Sequence, residues 1–551
     1  MKRHSTTGRR SEAGIRDSGS GIRRHSVCIA AAAAMAATAI AAPTKKFIFA
    51  SWELGDVTPQ EILKHADEFD KTACDGLSLG LRAILPGAAH NNVRHVMEEP
   101  RWLDSEIDTL LPTFQELSKH PSMRHSFASV NAAPRKERLA WTNDAAWALF
   151  ADNMRANARF AKLAGFEGVL TDFEDYWRKK QYRWLPSDPD WEQAKKLARQ
   201  RGAEVFSAVF REFPDAAILT FQLLTTDTAY ARQRDPRAYM EEKRDLWPAF
   251  VNGILDVLPP AAKLIDGNES FGYTARASRN DFYKSNRDQL SGVLPLVEPE
   301  NRVKYRSQLS ISFGLYMDAY SCPTNSGWYL EPVRGKHITH FEDNLLQACE
   351  AADEYIWFWG EKGFWIDWPA DLKDGKDWKG FKDMTWRGKY FEGDWGRIKP
   401  WNETLDGNFD LMARGVKDPF RCVNEEYARQ KAEGTFENLF NGEKLNVSSN
   451  GTTSTFIRRK FDVDGWYGVK IKGRGEIVRG NVSFQNKGSW RWKLGEVRVD
   501  FGAPDAEGWR DGAGLVRMPD DATDLYLLFD PGKEEKVRKA EFKELEVFKI
   551  R

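Results

Sequence analysis

The stretch GVLTDFEDYW, residues 168–177, sets Asp172, Glu174 and Asp175 within four residues at the end of an apolar run. Asp172 and Glu174, two apart on an extended chain, share a face. Like charges that close raise one pKa and keep one group protonated near neutrality. An acid beside a carboxylate is the pair that breaks a glycosidic bond: one protonates the leaving oxygen, the other attacks or activates water. Neither role needs a metal or a cofactor, and no metal or nucleotide motif stands in the sequence, so none is expected.

Further candidates close the other apolar runs. Trp52 ends KFIFASW, Asn131 ends HSFASVN, and Gln222 lies in AILTFQL. Asp266, Asn268 and Glu269 end KLIDGNE, Asp318 and Tyr320 end SISFGLYMDAY, and Trp359 and Glu361 end YIWFWGE. Acids and amides with flat rings between them suit sugars, whose hydroxyls bond the former and whose C–H faces stack on the latter. The second carboxylate of the reaction is left open among Glu269, Glu361 and Asp318.

The elements that must position these residues repeat one unit from Lys46 onward. A short apolar run (46–52, 76–82, 125–131, 167–174, 217–223, 263–269, 310–320, 355–361) is followed by a stretch with helical spacing of apolar residues. Alternation of this kind implies parallel strands joined by helical crossovers. Eight units predict a (β/α)8 barrel over 45–425, whose chemistry gathers at the C-terminal ends of the strands. The rival, an open doubly wound sheet, usually brings a glycine-rich phosphate loop after its first strand, where this chain has SWELGDVTPQ. Between the last strand and Trp401 lies a long Trp-rich insertion that includes Trp365, and the loop 321–335 adds Trp328 and Arg334, the latter a candidate for an anionic sugar substituent.

The chain has 551 residues, enough for more than one domain, and its 81 basic side chains balance 81 acidic ones. No overall field recruits nucleic acid or an anionic membrane. Residues 1–42 read as an export signal: basic residues, then VCIAAAAAMAATAIAA with small residues at Ala39 and Ala41. A secreted or periplasmic protein, with no membrane attachment after cleavage, is expected. The four remaining cysteines, Cys74, Cys322, Cys349 and Cys422, show no ligand spacing and are expected as thiols. Residues 424–434 read as a linker or a last helix, with the linker placed at 426–435. From 436 to 551 short alternating segments broken by turns predict an antiparallel β-sandwich.

FEGVLTDFE, residues 166–174, resembles the fourth-strand D-G-x-D-x-D-x-E signature of chitinase-like barrels, glycoside hydrolase family 18. Phe166, Gly168, Asp172 and Glu174 match, Glu167 replaces the leading Asp, and Leu170 stands where the inner Asp belongs. The resemblance implies Glu174 as general acid and Asp172 as the acid that positions the substrate acetamide; the pairing of the two also makes Asp172 the expected electrostatic partner of Glu174. The C-terminal segment resembles the β-sandwich carbohydrate-binding modules appended to secreted glycosidases, through 508–530 and the closing AEFKELEVFKI. The expectation is a secreted glycoside hydrolase acting on a poly- or oligosaccharide. Catalytic candidates are Glu174, Asp172, Glu269 and Glu361. Substrate contacts are expected from Trp52, Asn131, Asp175, Gln222, Asp266, Asn268, Asp318, Tyr320, Trp328, Trp359 and Trp365. The alternatives are a barrel that binds glycan without cutting it, and a polysaccharide lyase.

Overall fold

The computed structural model describes residues 44–551 apart from 52–53, 55–56, 82–94, 99, 226–228, 275–278, 362, 370–399, 406, 441–445, 448–452, 458–464, 476–479, 486–495, 518–523, 530–539 and 551. The signal region, Trp52 and most of the Trp-rich insertion therefore lie outside the described residues. Nine parallel segments form the first sheet: β1 (Lys46–Ser51), β2 (Gly76–Gly80), β3 (Phe127–Asn131), β4 (Gly168–Asp172), β5 (Ala217–Thr220), β6 (Lys263–Asp266), β7 (Leu309–Ile311), β8 (Phe313–Tyr316) and β9 (Tyr355–Gly360). Each of β1 to β6 pairs with the next, β7 pairs with β6, β8 pairs with β9, and β9 pairs with β1. Only Ser312 separates β7 from β8, so this one run closes the ring. The result is a (β/α)8 barrel. The run 310–320 is thus shorter as a strand than its apolar pattern suggests, because Met317–Tyr320 turns into a 3-10 helix.

The strands are buried on both faces, as parallel strands under a helical jacket must be. Gly168 opens β4 because a Cβ there would fall 1.8 Å from the carbonyl oxygen of Ala217 on β5. The interior is filled across strands. Trp357 of β9 stacks on Phe221 beyond β5 at 4.5 Å and donates its indole N–H to the Gly267 carbonyl at 2.8 Å. Its ring lies 2.3 Å from where a Cβ on Gly314 would stand, so only glycine fits on β8 at that level.

The helices carry their own stop signals. Asn143 caps Asp144–Ala164 through the Ala146 N–H, and Gly165 ends it with φ 79°. Residues 235–258, continuous in apolar pattern, are two helices, Pro236–Lys243 and Trp247–Val257, because Arg244 adopts φ 53° between them. At the N-terminal end of the barrel Lys46, Lys263, Glu167 and Glu354 form an ion-pair chain, with Lys46–Glu167 at 3.0 Å and Lys263–Glu354 at 2.6 Å. His125 Nδ1 at 2.6 Å and the Tyr355 hydroxyl at 2.6 Å complete the shell of Glu167.

Eight strands follow: β10 (Asn446–Val447), β11 (Thr453–Ile457), β12 (Trp466–Gly475), β13 (Gly480–Gln485), β14 (Glu496–Phe501), β15 (Trp509–Arg517), β16 (Asp524–Phe529) and β17 (Ala540–Lys549). All pair antiparallel in the order β10-β11-β16-β13-β14-β15-β12-β17. Strand β14 pairs with β13 along one stretch and with β15 along the next, joining two halves of a β-sandwich. The stretch 426–435 is largely the second half of a helix, Pro419–Glu433. It lies on the sandwich, where Gln430 donates to the Lys549 carbonyl at 2.8 Å and Lys470 to Asn424 at 2.6 Å. The sandwich also grips helix His337–Ala351 of the barrel. Trp466 donates to Glu342 at 3.2 Å, and Arg517 donates to the Thr339 carbonyl at 3.1 Å and pairs with Asp343. Cys74, Cys322 and Cys349 are buried thiols and Cys422 is half-buried. Among the described residues no helix is long and apolar enough to cross a membrane.

Candidate functional site

The end of β4 alternates as the pleat requires. Phe173 turns outward onto Trp247 at 4.7 Å, while Asp172 and Glu174 face the barrel mouth. Asp172 is buried. It accepts from Asn131 Nδ2 at 3.0 Å, across from β3, and from the Glu174 backbone N–H at 2.8 Å. Asp175 accepts from the backbone N–H groups of Lys179 and Lys180, so it caps the following turn and points away from the pair.

The end of β6 supplies the other half. Asp266 is fully buried and accepts from the Leu223 N–H at 3.1 Å, Thr225 Oγ1 at 2.7 Å and the Asn268 N–H at 3.1 Å. Burial raises its pKa, and its role is to pin the β5 and β6 loops together. Asn268 takes φ 44°, in the left-handed region an asparagine tolerates, and its amide donates to Ser285. The turn it makes delivers Glu269 into the mouth at the start of the short helix Glu269–Thr274. Gln222 from the β5 loop donates to Glu269 at 3.3 Å, and Tyr273 hydrogen-bonds it from one helical turn on.

Glu174 and Glu269 lie close enough to act on each other's ionisation, and Tyr176 donates its hydroxyl to Glu174. Burial raises Glu174, against the hydrogen bonds from Tyr176 and Glu269. Burial, then the charges of Glu174 and Asp172, push Glu269 well above the ordinary carboxylate range. Two carboxyls that act on each other in this way titrate as one system. Glu269 is the deeper of the two and the one that faces two other acids, which favours its protonated form.

Glu361 belongs to a neighbouring cluster. It accepts from the Tyr316 hydroxyl at 2.9 Å and Trp359 Nε1 at 3.0 Å, and its own N–H donates to buried Asp318 at 2.7 Å. Tyr316 stacks on Tyr273 at 4.8 Å, so two phenol rings stand between Glu361 and Glu269. Trp328 is exposed on the rim above that stack. Besides Asp175, two more of the expected contacts point elsewhere: the Tyr320 hydroxyl accepts from Asn344 at 2.8 Å in the helical layer, and Trp365 stacks on Phe49 at 4.0 Å outside the ring. Arg334 acts on Asp343, beside the sandwich. Sequence reasoning passed over Tyr176, Tyr273 and Tyr316. Tyr273 was within reach of it, because four residues after Glu269 is the same face of a helix. Tyr316 meets Glu361 only through the closure of the barrel.

One group among the described residues has metal-ligand spacing, Asp67, Asp70 and His120, with ligand atoms within 4.8 Å of one another. Asp70 there already accepts from Ser122 Oγ at 2.7 Å and its N–H at 3.0 Å, which makes it a loop cap.

Fold and site together define the class: a (β/α)8 barrel with two neighbouring carboxyls, Glu174 and Glu269, at its C-terminal mouth. No family model matches the chain, and no curated protein matches it in sequence. Among solved structures it is similar to D-allulose 3-epimerase from Methylomonas sp., with TM-score 0.32, 10% identity, and coverage of 71% of this chain and 100% of that one. It is also similar to the family 44 endoglucanase Cel44A of Clostridium thermocellum, with TM-score 0.28, 10% identity, and coverage of 77% and 84%. A family 27 β-L-arabinopyranosidase of Geobacillus stearothermophilus, in complex with arabinose, gives TM-score 0.28, 8% identity, and coverage of 88% and 97%. Superpositions this loose transfer no activity.

Proposed function

We propose that this chain is an exported glycoside hydrolase that cuts a poly- or oligosaccharide with Glu174 and Glu269. The observation that carries the reading is the meeting of half-buried Glu174 with buried Glu269, the latter raised well above the usual range, where a barrel does its chemistry. Glu269 bears the proton and donates it to the departing glycosidic oxygen. Glu174, which accepts from the Tyr176 hydroxyl, attacks the anomeric carbon as the bond to that oxygen breaks. Water, deprotonated by Glu269 in its second role, then releases the sugar from Glu174. The close approach of the two acids favours this double displacement, for which about 5–5.5 Å is usual, over the inverting route, which needs about 6.5–9.5 Å for a water. Asp172 contributes negative charge beside the oxocarbenium-like transition state and is steadied by Asn131. The family resemblance implied the acid role for Glu174; the deeper burial of Glu269 supports the reverse allocation.

The test is a glycan-panel digest read by mass spectrometry for the wild type, Glu174→Gln and Glu269→Gln. New reducing ends from the wild type, lost by about a thousandfold or more in each variant, are expected. Turnover retained in either variant refutes the assignment. Retention of a glycan on an affinity gel without cleavage would favour the binding-barrel alternative, and an unsaturated product would favour a lyase.

A further inference from the structure

The described residues include few large exposed apolar side chains, and three of them sit around the acid pair: Tyr176 at 60% exposure, Trp177 at 39% and Trp328 at 41%. Exposed aromatics gathered at one place mark a binding surface. Their arrangement is close to symmetric. Trp177 meets Tyr176 edge-on at 6.1 Å, and Tyr176 donates to Glu174. Trp328 stands edge-on to Tyr273 at 5.9 Å, and Tyr273 hydrogen-bonds Glu269. Each exposed indole is therefore one tyrosine away from one of the two acids.

The two indoles belong to different sectors of the ring. Trp177 also meets His95 at 5.0 Å, and His95 bridges to Asn131 at the end of β3. Trp328 also meets Tyr316 at 5.8 Å, at the end of β8. In the order β3, β4, β5, β6, β7–β8, the platforms stand at the two ends of the series and the acids come from β4 and β6 between them. Between them the negative charges beside Tyr176 are those of Asp172 and Glu174, a field that repels uronates and sulfates.

We propose that the mouth binds glycan on both sides of the acid pair, with Trp177 and Trp328 as the two stacking platforms, so that the substrate is an internal stretch of an uncharged polysaccharide and cleavage is endo. This rests on the glycosidase reading above.

The experiment uses the full chain with soluble uncharged polymers (hydroxyethylcellulose, xyloglucan, galactomannan, glycol chitin) and alginate as the anionic control. Viscosity and new reducing ends are followed together. On the polymer that is cut, viscosity falls steeply at the first few bonds broken, and Trp177→Ala and Trp328→Ala each raise KM about tenfold, about 1.4 kcal/mol. Both side chains are surface rings, so melting temperatures stay within a degree or two of the wild type. Steady release of mono- or disaccharide with viscosity held, or a KM unmoved by either substitution, overturns endo binding and leaves the glycosidase reading standing. Preferential cleavage of alginate overturns the uncharged-substrate claim. Failure to cut any polymer or oligosaccharide of the wider panel overturns both.

Discussion

Replacing Glu167 by Gln should remove a pH-dependent part of the stability while leaving the mouth of the barrel untouched. Glu167 lies at the N-terminal end of the ring. Burial there pushes its carboxyl up, but the His125 and Tyr355 hydrogen bonds and the Lys46 ammonium outweigh it and hold the pKa at about 2, against an ordinary 4.5. A carboxylate with a depressed folded pKa stabilises fully above its unfolded pKa, and the contribution disappears as pH falls through the folded value. At about 1.4 kcal/mol per unit the shift corresponds to about 3 kcal/mol, present at pH 6 and gone near pH 2. Denaturant midpoints of the wild type and Glu167→Gln, measured from pH 7 down to pH 2.5, isolate this residue, because the other acids titrate in both proteins. The gap between the two curves should close by most of that amount as the pH falls through the window from 4.5 to about 2. Parallel curves would show that the charge cluster does not hold Glu167 down. Turnover at neutral pH should match the wild type, since this end of a barrel serves stability.

Other outcomes follow from the same contacts. Asn131→Ala removes the amide that bonds Asp172 across β3 and β4, so thermal or denaturant unfolding should show a loss of about 2 kcal/mol, the usual worth of a hydrogen bond to a buried charge. Tyr273→Phe takes away a hydrogen bond that lowers Glu269, so Glu269 should titrate still higher and the alkaline limb of the rate profile should move to higher pH. Arg517→Ala leaves Asp343 and the neighbouring Glu342 without their buried cation. A loss of about 3 kcal/mol, with faster proteolytic release of the sandwich, is expected, and a wild-type midpoint would contradict the bracing role.

Much of the architecture is legible in the sequence because parallel strands under helices must be apolar on both faces, which makes runs such as AILT and YIWFWG conspicuous. Breaks within elements are less visible. Nothing in 235–258 announces that Arg244 adopts a left-handed conformation, and nothing in 310–320 announces that the strand pauses at Ser312. The carboxylates are legible one by one, since each closes an apolar run. Their pairing is not, because Glu174 and Glu269 come from strands two apart and meet only when the ring curves. Glu361 ends its strand in the same manner and is engaged by Tyr316 and Trp359, partners whose approach depends on β8 lying beside β9. Asp266 reads in the sequence as a mouth residue, yet one of its oxygens is taken up by the Leu223 and Asn268 N–H groups and the Thr225 hydroxyl.

The central claim is that Glu174 and Glu269 hold one proton between them, with Glu269 as its resting place. Infrared titration of the substrate-free protein tests this without knowledge of the sugar, using Glu174→Gln and Glu269→Gln as difference references. A protonated carboxyl band should persist above the ordinary carboxylate range in the wild type and vanish in Glu269→Gln. In Glu174→Gln it should titrate at lower pH, because the neighbouring charge that raises it is gone. Two carboxyls that ionise independently within the usual range would contradict the account.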